Sequence, residues 1–200
     1  ADTRVIGDGW YIVNKDVALP EDANLTVNGN ANIILYDGCT LQITAYEIAA
    51  PGIALSSGNT LNVFGQQVGS GTIEAHGGEN SAGIGGGYYM DGGTLNVYGG
   101  YIYAYGGRWG SGIGFGHNGY YRAGTVNIHN GYIYAQGGYD STGIGGTLTV
   151  FADQTKNKIM YVRENGSEIS GSPFVTKTEN DVKINIKIII NIYHTHPQKY

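Results

Sequence analysis

A repeated set of three short motifs constrains this chain more than any other feature of its sequence. The first motif is NTLNVFG, GTLNVYG, GTVNIHN and GTLTVFA, beginning at Asn59, Gly93, Gly124 and Gly146. The second is GTIEAHGG, GYIYAYGG and GYIYAQGG, and the third is SAGIGGG, GSGIGFG and STGIGG. Self-similarity at a period of roughly 20 to 50 residues is typical of solenoids, so the chain is predicted to stack equivalent units.

The spacing of the motifs predicts the kind of solenoid. Successive units are 34, 31 and 22 residues apart, measured at Thr60, Thr94, Thr125 and Thr147. The shortest step leaves room for three short strands, and the longer steps carry their extra residues mostly after the third motif. We therefore predict an all-β, single-stranded parallel β-helix with loops projecting from one corner. It is expected to be right-handed, as crossovers between parallel strands nearly always are.

Alternation of apolar and polar residues assigns the two faces of each predicted strand. Asn62, Asn96 and Asn127 should point outward and form a structural hydrogen-bonded ladder. The inward columns are Leu61, Leu95, Val126 and Leu148; Val63, Val97, Ile128 and Val150; Ile73, Ile102 and Ile133; Ala75, Ala104 and Ala135; and Ile84, Ile113 and Ile144. The 35 glycines fit tight corners between such strands.

Both ends of the chain differ from the central repeats. GWYIVNKDVAL and the segment from Leu25 to Ala45 continue the strand pattern at shorter spacing and are expected to be first coils or an N-terminal cap. Residues 1–154 have a formal charge of −8, whereas residues 155–200 have +3 and few glycines. We therefore predict a β-helix over 1–154 and a β-rich cap or small appendage over 155–200. Its strands are KIMYVRENGSEISGSPF, with a turn at Asn165 and Gly166, and DVKINIKIIINIYH.

Charge and composition limit the partners. The net charge is −5 and only 14% of residues are charged, which argues against nucleic acid and an anionic membrane. No run of about eighteen apolar residues is present, so no membrane-spanning helix is predicted. Cys39 is the only cysteine and shares parity with Leu41 and Ile43, so we expect a buried, inert thiol.

The outward positions of the second motif form a surface rich in tyrosine, which we call the tyrosine face. Its columns are Thr72, Tyr101 and Tyr132; Glu74, Tyr103 and Tyr134; and His76, Tyr105 and Gln136. Tyrosine offers apolar area and a hydroxyl at low rotamer cost, which suits stacking on sugar rings. The predicted ligand-binding residues are Tyr101, Tyr103, Tyr105, Tyr132, Tyr134, Trp109, Glu74 and His76.

Trp109 is included because it is expected to join a rim of corner-loop aromatics with Tyr88, Tyr89, Tyr120 and Tyr121. A structural alternative is that the stacked tyrosines only stabilise neighbouring strands. A loop, the C-terminal segment or another subunit would equally cover such a face.

An enzyme is a further alternative, because polysaccharide lyases and hydrolases also use parallel β-helices. They need acid and base groups that converge on one groove. The acids of the regular coils are scattered, and no catalytic residue is assigned; these acids are Glu74, Glu79, Asp91 and Asp140.

No metal site or cofactor is predicted. HTHPQ at His194 resembles the HxHP zinc site of JAMM-type metalloproteases. The serine and aspartate that follow in that family are missing here, so we expect a loose tail.

The motifs TLNVYGG, YIYAYGG and SAGIGGG resemble glycine-rich repeats in surface proteins of gut bacteria, in which AGIGGG-like units recur. WYIVNKDVAL, NANIILYDGCTLQITA and GIALSSGNTLNVFGQ are similar to the lead-in of those proteins, so the resemblance covers about residues 9–150. It implies an extracellular or cell-surface β-helix in a larger or anchored protein, with carbohydrate binding. It transfers no catalytic residue, and this chain has tyrosine where those repeats usually have threonine or valine.

The sequence thus predicts a non-catalytic extracellular or cell-surface module that binds glycan or protein through the tyrosine face. The competing prediction is a structural stalk or assembly module, including a homo-oligomer formed through the tyrosine face or the C-terminal strands.

Overall fold

Three sheets wind around one core. The computed structural model describes residues 3–119, 124–151, 161–164, 167–168 and 175–177. All regular secondary structure in these ranges is β-strand. Within each sheet, strands from successive coils pair in parallel, so the predicted all-β parallel solenoid is confirmed.

The first five coils, from β1 to β15, each contribute one strand to each sheet in turn. The first sheet contains β1 (Thr3–Ile6), β4 (Asn24–Val27), β7 (Ile53–Ala54), β10 (Ile84–Gly85) and β13 (Ile113–Gly114). The second contains β2 (Gly9–Val13), β5 (Asn30–Leu35), β8 (Thr60–Gly65), β11 (Thr94–Val97), β14 (Gly124–Ile128), β16 (Gly146–Phe151) and β19 (Val175–Lys177). The third contains β3 (Val17–Ala18), β6 (Thr40–Thr44), β9 (Thr72–His76), β12 (Tyr101–Tyr105), β15 (Tyr132–Gln136), β17 (Tyr161–Glu164) and β18 (Ser167–Glu168).

The core is a stack of aliphatic columns, as the alternation predicts. Leu61 pairs with Leu95 and Leu95 with Val126, and all three side chains are buried. The isoleucine and alanine columns of the third sheet are fully buried in the same way. Leu148 and Val150 of the last regular coil are only partly buried, and they pack against this core.

Glycine is required where adjacent coils approach closely at a corner. A Cβ on Gly110 would overlap the carbonyl oxygen of Ser81 in the preceding coil, and one on Gly138 would overlap that of Gly107. Any side chain would therefore push the coils apart, which explains why the corners of this solenoid are rich in glycine.

The N-terminal segment forms the first coils. β2 pairs with β5 and β3 with β6 in the same sheets as the later repeats. β1, which precedes the predicted pattern, opens the first sheet and pairs with β4. Cys39 is a free thiol that is half-buried rather than fully buried, and it packs against the core.

Strands beyond residue 154 extend the solenoid. β17 adds in parallel to β15, and β19 adds in parallel to β16. β17 and β18 pair antiparallel, with Arg163 opposite Glu168, as the predicted hairpin requires; the predicted turn residues Asn165 and Gly166 lie outside the described residues. The predicted strand DVKINIKIIINIYH, the HTHPQ motif at His194, and Tyr120 and Tyr121 lie outside the described residues.

Polar and aromatic ladders cover the outer face of the second sheet. The predicted asparagine ladder is present: Asn127 donates to Asn96 at 2.8 Å, Asn96 to Asn62 at 2.7 Å, and Asn62 to Asn32 at 3.0 Å. Asn32 in turn donates to the carbonyl oxygen of Gly9. The ladder extends one coil further than the three predicted residues and holds neighbouring coils in register.

Candidate functional site

The third sheet aligns the tyrosine face as the sequence predicts. Tyr101 pairs with Tyr132 and Tyr103 with Tyr134. One coil earlier, Glu74 is opposite Tyr103 and His76 opposite Tyr105. Because these strands are in register, neighbouring coils place equivalent side chains about 4.8 Å apart. Seven of the eight predicted site residues therefore lie on one surface.

The tyrosine rings on this face are tilted against one another rather than stacked. The Tyr103 ring centroid lies 5.6 Å from that of Tyr132 and 6.3 Å from that of Tyr134, with planes inclined by 48° and 38°. Tyr105 and Tyr134 are 5.7 Å apart at 47°. Tyr101 is 38% exposed, and the other tyrosines are half-buried. Tilted rings leave part of each aromatic surface open to a ligand.

An acid and an imidazole lie at the edge of the tyrosine face nearest the N-terminal coils. His76 Nε2 and Glu74 Oε1 are 2.8 Å apart, and about a third of each side chain is exposed. The imidazole ring also stacks on Tyr105, with centroids 4.4 Å apart and planes 11° apart. The carboxylate is therefore held in place beside the aromatic rings, where it can accept hydrogen bonds from a ligand hydroxyl.

The phenols beside this carboxylate are harder to ionise than free tyrosine. Partial burial raises the pKa of Tyr103, and the negative charge that Tyr132, Tyr101 and Glu74 can carry raises it further. Burial and then Glu74 raise the pKa of Tyr105. Both phenols keep their protons at neutral pH, so each can donate a hydrogen bond as well as accept one.

A second aromatic array, not predicted from the sequence, lies on the second sheet. The aromatic ladder runs through Trp10, Phe64, Tyr98, His129 and Phe151. From Phe64 onward its rings are stacked and nearly parallel, with planes 5° to 14° apart and centroids 4.2 to 4.8 Å apart. The signal was present in the first motif, where NVFG, NVYG, NIHN and TVFA each place an aromatic ring after the last inward residue.

Stacking distinguishes the two arrays. Rings of the aromatic ladder cover one another's flat surfaces, which favours a structural role. The tilted rings of the tyrosine face leave more of their surfaces uncovered. Of the two, the tyrosine face is the better candidate for binding.

Trp109 lies on a corner loop after β12, apart from the tyrosine columns. Its indole is 5.3 Å from the His117 ring, and the Arg108 guanidinium carbon is 4.3 Å from the indole centroid. Tyr88 stacks on His117 at 5.8 Å and contacts Tyr89 edge-on at 4.2 Å. Trp109, Tyr88 and Tyr89 thus form a corner cluster with His117, a residue that the sequence reasoning did not select.

The described part of the chain shows no metal or membrane feature. It contains no group of three or more His, Cys, Asp or Glu residues placed to hold a metal ion. None of its elements is a helix long and apolar enough to cross a bilayer.

The fold and the face define the class: a parallel β-solenoid with a half-exposed tyrosine surface on one sheet. No protein-family model matches this chain, and neither a curated protein nor a solved structure matches it.

Proposed function

We propose that this chain is a non-catalytic, extracellular or cell-surface module that binds glycan chains through the tyrosine face. The observation that carries the proposal is the tilt and exposure of the five tyrosine rings on a register-locked sheet. A pyranose ring has an apolar C–H surface that packs on an aromatic ring, while its hydroxyls need polar partners.

The face supplies both kinds of contact. Its two tyrosine columns span adjacent coils, and each strand of five residues is roughly 13 Å long from first to last residue. The Glu74 carboxylate lies in the first of the three coils and Gln136 in the last. There Tyr134 donates a hydrogen bond to the Gln136 amide oxygen at 2.9 Å. With three strands about 4.8 Å apart, this surface is nearly as wide as it is long and has room for a few sugar units of a polymer.

The sequence resemblance supports the same function. Related glycine-rich repeats belong to surface proteins of gut bacteria, for which carbohydrate binding is implied. The net charge of −5 favours a neutral glycan over a strongly anionic one.

The test compares glycan-array binding of the wild type with Tyr103→Ala and Tyr134→Ala. Each substitution is expected to weaken binding about tenfold or more, corresponding to ~1.4 kcal/mol. Tyr46→Ala and Tyr139→Ala are matched controls, because these tyrosines are 64% and 74% exposed on corner loops. They should bind as the wild type does.

Three results would contradict the proposal. Unchanged binding by the Tyr103 and Tyr134 variants would place the ligand elsewhere, and loss of oligomerisation in light scattering would instead favour the assembly module. Release of reducing or unsaturated sugars from the bound polysaccharide would show the enzyme alternative to be correct.

A further inference from the structure

A cleft lies beside the corner cluster, outside the tyrosine face. Its volume is about 560 Å3, within the range of roughly 300 to 1,000 Å3 that is typical of small-molecule sites. The loop after β12, the loop after β13 and the turn after β15 line it. The lining residues are Trp109, Phe115, His117, Asn118, Gly138, Asp140, Ser141 and Thr142.

The cleft exists because successive coils differ in one loop. In the coil of β13, residues 115–123 separate Gly114 from Gly124, where β14 begins. In the next coil, Gly145 leads directly into Gly146, where β16 begins. The later coil therefore has no equivalent loop to stack on His117, whereas His117 itself stacks on Tyr88 in the loop below, which is residues 86–92 of the preceding coil.

The loop below shows what such stacking looks like. Gly116 N donates to Met90 O, and Tyr89 N donates to His117 O at 2.9 Å. The Tyr88 and His117 rings lie 5° apart in orientation. On the other side of the cleft, the turn at Asp140 has the same form as the turn at Asn80, with φ values of 55° and 67°.

The lining combines aromatic rings with a small set of polar groups. Trp109, Phe115 and His117 provide flat surfaces, while Asp140, Asn118 and Thr142 provide a carboxylate, an amide and a hydroxyl. Together they can accept and donate hydrogen bonds to several hydroxyls around one ring. We propose that this cleft binds a single neutral pyranose unit, as a free monosaccharide or as a chain end or branch of a glycan.

A cationic ligand fits the cleft less well. Aromatic rings beside a carboxylate also attract quaternary ammonium groups. Here, however, the Arg108 guanidinium already lies over the Trp109 ring at 4.3 Å, which places a positive charge at the cleft. The remaining lining side chains with hydrogen-bonding groups include an amide, hydroxyls and an imidazole, and none of them is a carboxylate, so they suit sugar hydroxyls better than a second cation.

This site is independent of the tyrosine face, so the two proposals are tested separately. The chain has two tryptophans, and Trp10 lies in the aromatic ladder of the second sheet. A Trp10→Phe variant therefore leaves Trp109 as the sole tryptophan and its fluorescence as a probe of the cleft. The variant is titrated with glucose, galactose, mannose, N-acetylglucosamine and, as a cationic competitor, choline.

At least one sugar should give a saturable change with a Kd of about 1 mM, the affinity expected for a ligand of about a dozen heavy atoms. Asp140→Asn, added to this variant, should raise that Kd about tenfold, because the charged acceptor is lost while asparagine still tolerates the positive φ. Thr142→Val should raise it several-fold. Asp91→Asn and Tyr103→Ala are controls outside the cleft and should leave the Kd unchanged.

Three results would overturn this proposal: no saturable response to any sugar, equal Kd values for the Asp140 variant and its parent, or tighter binding of choline than of every sugar. Failure of the tyrosine-face proposal gives a different result. In that case Tyr103→Ala would have no effect on polysaccharide binding, while the fluorescence response of Trp109 to sugar would be unchanged.

Discussion

Tyr103 occupies the centre of the tyrosine face and shows how one residue serves both the sheet and its surface. Its backbone is locked between Glu74 and Tyr134 in neighbouring coils, while its ring contacts Tyr132 and Tyr134 at a tilt. Its phenol is desolvated enough to raise the pKa. The strand fixes where the ring is anchored, and the ring remains partly available to solvent.

The ionisation of two phenols provides a prediction at this scale. After burial, Glu74 is the leading cause of the raised pKa of Tyr105, whereas for Tyr103 it follows Tyr132 and Tyr101. Glu74→Gln should therefore lower the pKa of Tyr105 more than that of Tyr103. Carbon-13 NMR titration of the tyrosine Cζ signals, assigned with Tyr105→Phe and Tyr103→Phe, measures both values.

The same shifts determine how stability depends on pH. A folded-state pKa above the reference value of 10.0 means that the unfolded chain loses these protons first. The contribution of the two neutral phenols to stability is then fully present below about pH 10 and is lost as pH rises through the folded-state pKa. Tyr103→Phe should flatten this alkaline loss of stability in urea unfolding.

For the NMR titration, a larger change in the pKa of Tyr103 than in that of Tyr105 in Glu74→Gln would contradict the assigned causes.

The aromatic ladder is the clearest example of stabilisation at the scale of the element. His129 in the ladder stacks between Tyr98 at 4.3 Å and Phe151 at 4.2 Å. His129→Ala removes both ring contacts and should lower the free energy of unfolding by about 1 to 3 kcal/mol, at roughly 0.5 to 1.5 kcal/mol per aromatic pair. His129→Phe retains both contacts and should unfold within about 0.5 kcal/mol of the wild type. Urea unfolding followed by circular dichroism measures the three proteins.

Equal destabilisation by His129→Ala and His129→Phe would show that the ring contacts do not stabilise the sheet. In that case stacking would not explain why aromatic rings recur at this position on successive coils.

Registers of individual strands were predictable because the repeat itself encodes them. Leu95, Asn96 and Val97 recur at the same motif positions in each unit, and in parallel in-register sheets equal positions become neighbours. The inward columns, the asparagine ladder and the tyrosine columns therefore followed from the repeat, which gives the register, and from alternation, which gives the face.

Contacts between loops could not be predicted in this way. Trp109 and His117 belong to loops on either side of β13, and nothing in the repeat sets the distance between them. They meet because β13 is only two residues long, so the corners before and after it are close together. β1 was not predicted for a related reason: TRVI lacks the GIG signature that marks β10 and β13, the later strands of the same sheet.

At the scale of the whole molecule, the solenoid separates a constant core from variable loops. Ile113–Gly114 and Gly124–Thr125 enclose residues 115–123, whereas Ile144–Gly145 and Gly146–Thr147 are joined with nothing between them. The backbone of the solenoid thus accommodates the same corner with or without a loop. Each coil contacts mainly its neighbours, so local changes should be tolerated if the adjoining coils still stack.

Deleting residues 115–123 tests this separation directly. The resulting Ile113–Gly114–Gly124–Thr125 corner reproduces the natural corner at residues 144–147. The variant should retain its β-rich circular dichroism spectrum and cooperative unfolding. Its free energy of unfolding should fall by a few kcal/mol, for the lost His117 ring contacts and three backbone hydrogen bonds to the preceding coil, which are Gly116 N to Met90 O, His117 N to Asn80 O and Tyr89 N to His117 O.

Deleting residues 86–92 instead is the informative comparison, because it makes the same short corner one coil earlier. There the loop that follows would lose the hydrogen bonds from Gly116 N to Met90 O and from Tyr89 N to His117 O, together with the Tyr88 ring, while still projecting from the corner. The earlier deletion should therefore cost more stability than the later one, although it removes fewer residues. Equal losses in the free energy of unfolding, or loss of cooperative unfolding in the 115–123 deletion, would contradict this prediction. Either result would mean that the loops are part of the cooperative folding unit and are not each supported by the loop of the preceding coil.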